Sequence, residues 1–254
     1  MTNTQVTLVQ LDNYGPWTVT PHPRPEPDLQ TLQARLFADV AQFVGSRDGY
    51  AFATRFDNMI AVTNGMSQHD HERLQRSIGN RYPITASLGI GTGETPVEAL
   101  ERATDGIQNA GSAQEAARTE VLAGEPLTDG GDAADVVEIA HFDVVDATGT
   151  YTDRLDAFDA HLAISRASTE LADHLYRQAE SLSFFVGGDN MIAVTAGLDR
   201  AAYRETIEAV RDRVGVELRV GVGTGHSAHL AGYDAKLALE DGRETETAVV
   251  FADA

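Results

Sequence analysis

The sequence predicts an α+β chain of two tandem β-α-β-β-α-β domains with antiparallel sheets, and three observations predict it. Asp57-Asn58-Met59-Ile60-Ala61-Val62-Thr63 recurs letter for letter from Asp189 to Thr195, 132 positions on. The same spacing carries Gly89-Ile90-Gly91-Thr92-Gly93 onto Gly221-Val222-Gly223-Thr224-Gly225. A spacing of 131 carries Val9-Gln10-Leu11-Asp12 onto Ala140-His141-Phe142-Asp143. Repeats of this length at matched spacing mark an internal duplication. A chain of 254 residues accommodates two domains of about 125 residues, each able to bury a core. The Gly- and Asp-rich stretch from Pro126 to Asp135 is the expected joint, giving domains 1–130 and 131–254.

In the first half, Val6–Leu11 is a short apolar, β-branched strand ending at Asp12. Proline-rich residues Pro16 to Pro27 read as a loop. Asp28 reads as the N-cap of a helix reaching Val44, with Leu29, Leu32, Leu36 and Val40 on one face. Tyr50–Thr54 and Met59–Thr63 flank a tight Phe56-Asp57-Asn58 turn, a hairpin pattern. A helix is expected over Asp70–Gly79 and a strand over Ile84–Ile90. A further helix opens at Thr95, with Pro96 first and Glu98 three residues on, a capping-box arrangement. The second half repeats the order. It has a strand over Val136–Phe142, helices within Thr152–Glu180, a hairpin around Gly188-Asp189, a helix over Arg200–Val214 and a strand over Glu217–Val222. This is the split β-α-β, or ferredoxin-like, arrangement. Its helices cover one sheet face and leave the other for a ligand or a second domain.

Composition excludes several function classes. No cysteine is present, so disulfides, a thiolate nucleophile and Cys-ligated zinc are ruled out. No window reaches the roughly 20 apolar residues of a membrane helix. The polar N-terminus has no signal layout, so a cytoplasmic location is expected. With 39 acidic against 19 basic residues the formal net charge is −20, which repels nucleic acid and anionic membranes; neither is an expected partner. Lys236 is the only lysine. An acidic, lysine-poor surface around an ordinary apolar content points to a protein adapted to high salt.

The chemistry is expected at the strand ends. In this topology the first strand neighbours the central hairpin, which brings Asp12 towards Asp57 and Asp143 towards Asp189, with Asp146 a further acid in the second half. Paired carboxylates suit a hard, oxygen-seeking ion such as Mg²⁺, which offsets phosphate charge and activates water. Asn13, Asn58 and Asn190 flank these acids. Gly187-Gly188 before Asp189 leaves room for a triphosphate. Trp17, the only tryptophan, lies in Asn13-Tyr14-Gly15-Pro16-Trp17-Thr18 and is placed to pack locally or to stack on a purine. Arg55 and Arg81 are candidate phosphate anchors, since guanidinium pairs bidentately with phosphate. The glycine clusters at 89–93 and 221–225 fit either close phosphate approach or strand-end packing. His69, His71, His226 and His229 read as surface residues, and His141 beside Asp143 as a sheet residue or an acid–base candidate. A Walker loop, a dinucleotide fingerprint and a Gly-x-Ser-x-Gly elbow are all missing from the sequence.

Leu11–Thr18, Thr54-Arg55-Phe56-Asp57-Asn58, Asn80-Arg81-Tyr82-Pro83, Gly111-Ser112-Ala113-Gln114 and Gly187-Gly188-Asp189-Asn190 together resemble the archaeal GTP cyclohydrolase III family over essentially the whole chain. The resemblance implies palm domains like those of nucleotidyl cyclases and polymerases. It implies hydrolysis of GTP to 2-amino-5-formylamino-6-(5-phosphoribosylamino)pyrimidin-4(3H)-one with release of two orthophosphates, an early step towards riboflavin and deazaflavin cofactors. It also implies two or more Mg²⁺ ions on Asp12, Asp57, Asp143 and Asp189, with Asp146 as a further metal candidate. A monovalent cation such as K⁺ and a homo-oligomer, dimer or tetramer, complete what it implies. The nucleotide set comprises Asn13, Trp17, Arg55, Asn58, Arg81, Gly187, Gly188 and Asn190. A nucleotidyl or diguanylate cyclase and a non-catalytic GTP-binding regulator are the alternatives.

Overall fold

The structure, a computed structural model, describes residues 3–115, 118–127 and 136–252. These cluster into two compact units: residues 3–94 with 98–127, and residues 136–252 with 95–97. The joint expected at residues 130 and 131 lies outside the described residues.

The first unit runs β1 (Thr4–Leu11), α1 (Tyr14–Val19), α2 (Glu26–Gly45), β2 (Tyr50–Ala53), β3 (Asn58–Val62), α3 (Gln68–Arg81), β4 (Ala86–Gly93), α4 (Pro96–Gln108) and β5 (Leu122–Ala123). The second runs β6 (Val137–Val144), a π-helical turn (Thr148–Thr152), α5 (Ala157–Ala179), β7 (Leu182–Gly187), β8 (Asn190–Thr195), α6 (Arg200–Val214), β9 (Leu218–Gly225), α7 (Ala228–Glu244) and β10 (Val249–Phe251). The sheets have the orders β2-β3-β1-β4-β5 and β10-β9-β6-β8-β7. Each holds the expected four antiparallel strands. A short fifth strand is added parallel to β4 or β9, so each sheet is mixed.

Alternation sorts the sheet residues. Val9, Leu11, Met59, Ala61 and Leu88 turn towards the helices and pack on Leu36, Val40, Val44, Leu74 and Ile78. Burying each such side chain contributes about 1.5–3 kcal/mol. The opposite face is equally withdrawn from solvent, with Val6, Ile139 and Val194 fully buried.

Capping fixes the helix starts. Ser67 and Asp70 form a reciprocal box at α3, and Asp199 caps α6 through the Ala202 amide. The N-cap expected at Asp28 is displaced: α2 begins at Glu26 behind Pro25, with Pro27 in its first turn, where a missing N–H costs nothing. Part of the expected Pro-rich loop is the short helix α1, whose Pro16 again sits in the first turn.

The glycine clusters are a packing seam. A Cβ on Gly89 would lie 2.0 Å from the Ala103 carbonyl oxygen, and one on Gly91 2.0 Å from that of Ala99. In the second unit, Cβ atoms on Gly221 and Gly223 would meet Ala235 O at 2.2 Å and Ala231 O at 2.4 Å. Helices α4 and α7 therefore rest directly on the strand backbones.

Candidate functional site

In the first unit residues of the Leu11–Thr18 and Asn80–Pro83 motifs meet around one cavity of about 390 Å³, lined by Asp12, Asn13, Trp17, Gly79, Tyr82, Pro83, Ile84, Thr85 and Arg118. This size falls within the range of small-molecule sites, about 300–1,000 Å³. Asp12 ends β1 and is buried; its Oδ2 accepts from the Thr85 hydroxyl at 2.9 Å and its Oδ1 from Ser87 at 2.7 Å. The Arg118 guanidinium lies 3.4 Å from Oδ1, with both side chains no more than 3% exposed. Arg118 Nε is not aligned to donate across that gap and has no hydrogen-bond partner.

Asn13 takes a left-handed conformation, φ 51°, and starts α1. Its amide donates to Ala113 O, and the neighbouring Gln114 side chain accepts from the Gly15 amide at 3.0 Å. The Gly111–Gln114 motif thus clamps the Leu11–Thr18 motif. Asn13 Oδ1 is buried without a partner. Asn13 Oδ1 is thus an acceptor left unpartnered by the protein at the cavity, while Arg118 is otherwise held by Asp12, Ser87 and the Ala110 and Gly111 carbonyls. Trp17 stacks on Tyr14, ring centroids 6.0 Å apart, and Arg24 covers its ring at 3.9 Å. Burial, with the hydrogen bond to Asp39 next, pushes the Tyr82 hydroxyl up to about 12.

Asp57 is joined to this site through the backbone: its carbonyl accepts from the Leu11 amide, one residue before Asp12. Its carboxylate accepts from Asn58 Nδ2 at 3.0 Å and lies 3.6 Å from Arg55, which is mostly exposed. Arg81 turns elsewhere; it pairs with Asp39 at 3.2 Å and lines a different cavity.

The second unit is arranged differently. Its register sets Asp143 opposite Asn190 and Arg219, whereas the first unit sets Gln10 opposite Asn58 and Ser87. Asn190 and Arg219 stand 132 positions after Asn58 and Ser87. Asp143 is therefore the counterpart of Gln10, and the 131-residue spacing that matched it to Asp12 is overturned. The counterpart of Asp12 is Val145, whose amide bonds Glu217 O as that of Asp12 bonds Thr85 O. Asp146 corresponds to Asn13, sharing its left-handed backbone at φ 47°. Both Asp146 oxygens serve its own turn, accepting from the Gly149 amide and the Thr150 hydroxyl.

Asp143 is buried and faces Arg243 at the end of α7, with Nη2 2.7 Å from Oδ1 and Nε donating to Oδ2 at 3.2 Å. Asp189 follows the bulged, positive-φ pair Gly187 and Gly188. Burial raises its carboxyl above the usual range, and the adjacent Asp143 charge, within hydrogen-bonding reach, adds to the effect. Two carboxyls that repel one another so closely are a donor set that a hard cation would relieve. Among the described residues no cluster of three or more His, Asp or Glu side chains is set to hold a metal, so remaining ligands would come from substrate oxygens, backbone or water. His141 Nε2 meets Asn190 Oδ1 at 2.9 Å, and burial lowers its pKa.

Sequence reasoning missed Arg118 and Arg243. Each neutralises a first-strand aspartate from about 100 residues away, and no local spacing announces either. It also placed His71 on the surface; the ring is fully buried, between the Thr7 hydroxyl and the Ser67 carbonyl.

The chain is similar to known proteins over nearly its whole length. The family model for GTP cyclohydrolase III matches residues 6–252. GTP cyclohydrolase III 1 of Halobacterium salinarum is 61% identical over 98% of both chains. GTP cyclohydrolase III of Natronomonas pharaonis is 58% identical over 99% of this chain and 100% of its own. The Methanobrevibacter smithii GTP cyclohydrolase III is 45% identical over 94% of each. Among solved structures, the GGDEF domain of PA1120 from Pseudomonas aeruginosa covers 47% of this chain and 83% of its own, with 15% identity and a TM-score of 0.41. No helix among the described residues is long and apolar enough to cross a membrane. With the family model and the whole-chain relatives in agreement, the chain belongs to the GTP cyclohydrolase III family.

Proposed function

We propose that the chain hydrolyses GTP, opening the imidazole ring while keeping the formyl group and releasing two orthophosphates, and that the first unit carries the reaction. One observation carries the reading. Two separated motifs, Leu11–Thr18 and Asn80–Pro83, contribute residues to the cavity that Asp12 lines, and Gly111–Gln114 clamps the first of them, whereas the second unit has Val145 at the position of Asp12.

In this reading Asp12 and Asp57 hold Mg²⁺ in the first unit, and Asp143 with Asp189 holds a second cation. Asp146 is left out because its oxygens close its own turn. Bound Mg²⁺ would offset triphosphate charge and activate water. Thr85 and Ser87 fix the Asp12 carboxylate, and Arg118 supplies a counter-charge where the phosphate chain enters. Asn13 Oδ1 is an acceptor for a purine N–H, and the Trp17 ring supplies an apolar wall. Arg55, Asn58, Gly187, Gly188 and Asn190 flank the two aspartate turns. A monovalent cation, a cytoplasmic location and a homo-oligomer belong to the same proposal.

The test is incubation with GTP and Mg²⁺ in high salt, with products identified by mass. The formylamino-pyrimidine with two orthophosphates is the expected result. Pyrophosphate with a cyclic nucleotide would instead make the protein a cyclase. Tight GTP binding without turnover would make it a regulator.

A further inference from the structure

We infer that the surface between α2 and α3 of the first unit is a separate binding site for a phosphate-class oxyanion, either free orthophosphate or the phosphate chain of a nucleotide. A cavity of about 380 Å³ lies there, lined by Phe43, Arg73, Arg76, Ser77, Asn80 and Arg81. None of these residues lines the cavity closed by Asp12. The inference does not rest on the proposed reaction.

The chain carries about two acids for every base, so a solvated helix face is expected to be acidic. Helix α6 supplies the comparison within the same chain. Its N-cap Asp199 stands 132 positions after Ser67, the N-cap of α3, which fixes the correspondence of the two helices. At the positions of Arg73, Arg76 and Asn80, helix α6 carries Glu205, Glu208 and Asp212. Two copies of one helix thus differ by charge reversal at two of the residues that line the cavity, Arg73 and Arg76, while Arg81 is matched by Arg213. Solubility in salt does not account for arginines there, because the acidic version exists in the same molecule.

The cluster is also uncompensated. Arg73 and Arg76 are exposed, stand one helical turn apart and have no ion-pair partner among the described residues. Like charges at this spacing destabilise a helix. Three acids of α2 and α3 are already engaged: Asp39 accepts from Tyr82 and pairs with Arg81, Asp70 pairs with Arg47 at 2.6 Å, and Glu72 lies 3.6 Å from His69. Arg47 also lies over the Phe43 ring at 3.6 Å, which walls one side. Two guanidiniums without an ion-pair partner among the described residues, a third half-neutralised one, a hydroxyl and a carboxamide form a donor-rich lining. Planar guanidinium forks match phosphate oxygens.

The test uses the full chain with Arg73→Glu and Arg76→Glu together, the residues its own second unit carries. Circular dichroism and Trp17 fluorescence check that the variant folds. Orthophosphate and inorganic tripolyphosphate are titrated separately by calorimetry at low ionic strength without Mg²⁺. Affinity for at least one anion is expected to fall about tenfold or more in the variant, from the loss of two charge-assisted contacts. A fall for orthophosphate identifies the free anion as ligand; a fall confined to tripolyphosphate identifies a nucleotide phosphate chain. Equal affinities for both anions in the two proteins overturn the proposal. So does a change of oligomer size in the variant when the wild type binds neither anion, since the arginines would then meet an acidic protein face. Because binding is read without turnover, failure of the GTP reaction would leave this result standing.

Discussion

Replacing Arg118 by Met removes the only guanidinium paired with the buried Asp12 carboxylate among the described residues. Breaking a buried ion pair from one side costs about 3–5 kcal/mol. Here the separation is 3.4 Å, and Asp12 keeps hydroxyl bonds from Thr85 and Ser87, so the lower end, about 3 kcal/mol, applies. Arg118 also donates to the carbonyls of Ala110 at 2.9 Å and Gly111 at 2.8 Å. Losing those adds about 1 kcal/mol. Asp12→Asn alone should cost about 2 kcal/mol, and the double variant should be more stable than the sum predicts by about 2–3 kcal/mol. Trp17 is the only tryptophan and lines the same cavity, so its fluorescence during denaturant unfolding reports this unit specifically. A coupling below about 0.5 kcal/mol would show that the two charges do not act as a pair, and the counter-charge role of Arg118 would fall with it.

Asp57→Asn should lower GTP turnover by about 100-fold or more while leaving the fold intact, and Asp189→Asn should lower it less, because the second unit lacks a strand-end carboxylate; initial rates of the two variants decide this. Equal losses would place the reaction across both units. Gly91→Ala should cost about 3 kcal/mol in denaturant unfolding, since its Cβ would stand 2.0 Å from a helix carbonyl that cannot swing aside. His71 gives a pH signature: burial lowers its pKa below the ordinary 6.5, so the unfolded chain binds the proton more readily. Stability from this group is complete above pH 6.5 and falls as the pH drops through that value. His71→Gln should flatten the unfolding midpoint between about pH 7 and pH 5.

Local patterns made much of this fold readable. The hairpins stand out because β-branched runs flank Asp57 and Asp189. Helix α6 keeps its expected bounds because Asp199 caps one end and Gly215, at φ 72°, closes the other. Helix α1 was hidden by Pro16, which looks like a breaker unless it falls in a first turn. Strand β5, two residues long, is too short for any periodicity to show. In the site, the aspartates and Asn13 were visible as motif residues, but Arg118 and Arg243 act through tertiary contact alone. The glycine clusters stayed open between two readings because a strand glycine that admits a helix and one that admits a phosphate leave the same letters. Only the 2.0 Å approach of the Ala99 and Ala103 carbonyls separates them.

The first strand shows how a duplication can keep a fold while moving its chemistry. The central hairpin, the strand β4 and the helix α3 keep the 132 spacing, but the registers set β6 at 133 against β1. The structural positions survive the shift: buried Gln5, bonded to Thr63, becomes buried Glu138, bonded to Thr195. Both anchor the strand from beneath, and a slip of one residue would have turned each to the other face. The carboxylates do not survive in place. The best letter match, Asp12 with Asp143, joins residues two rungs apart, because the eye aligns identical letters whereas the sheet aligns hydrogen bonds. Once Val145 takes the strand-end position, the second unit cannot repeat the first unit's arrangement around Asp12. Its own acid pair lies deeper in the sheet, braced by Arg243. In the proposed reading the two halves divide the work, one shaping a cavity around Asp12 and Trp17, the other holding two close carboxyls that a cation would relieve.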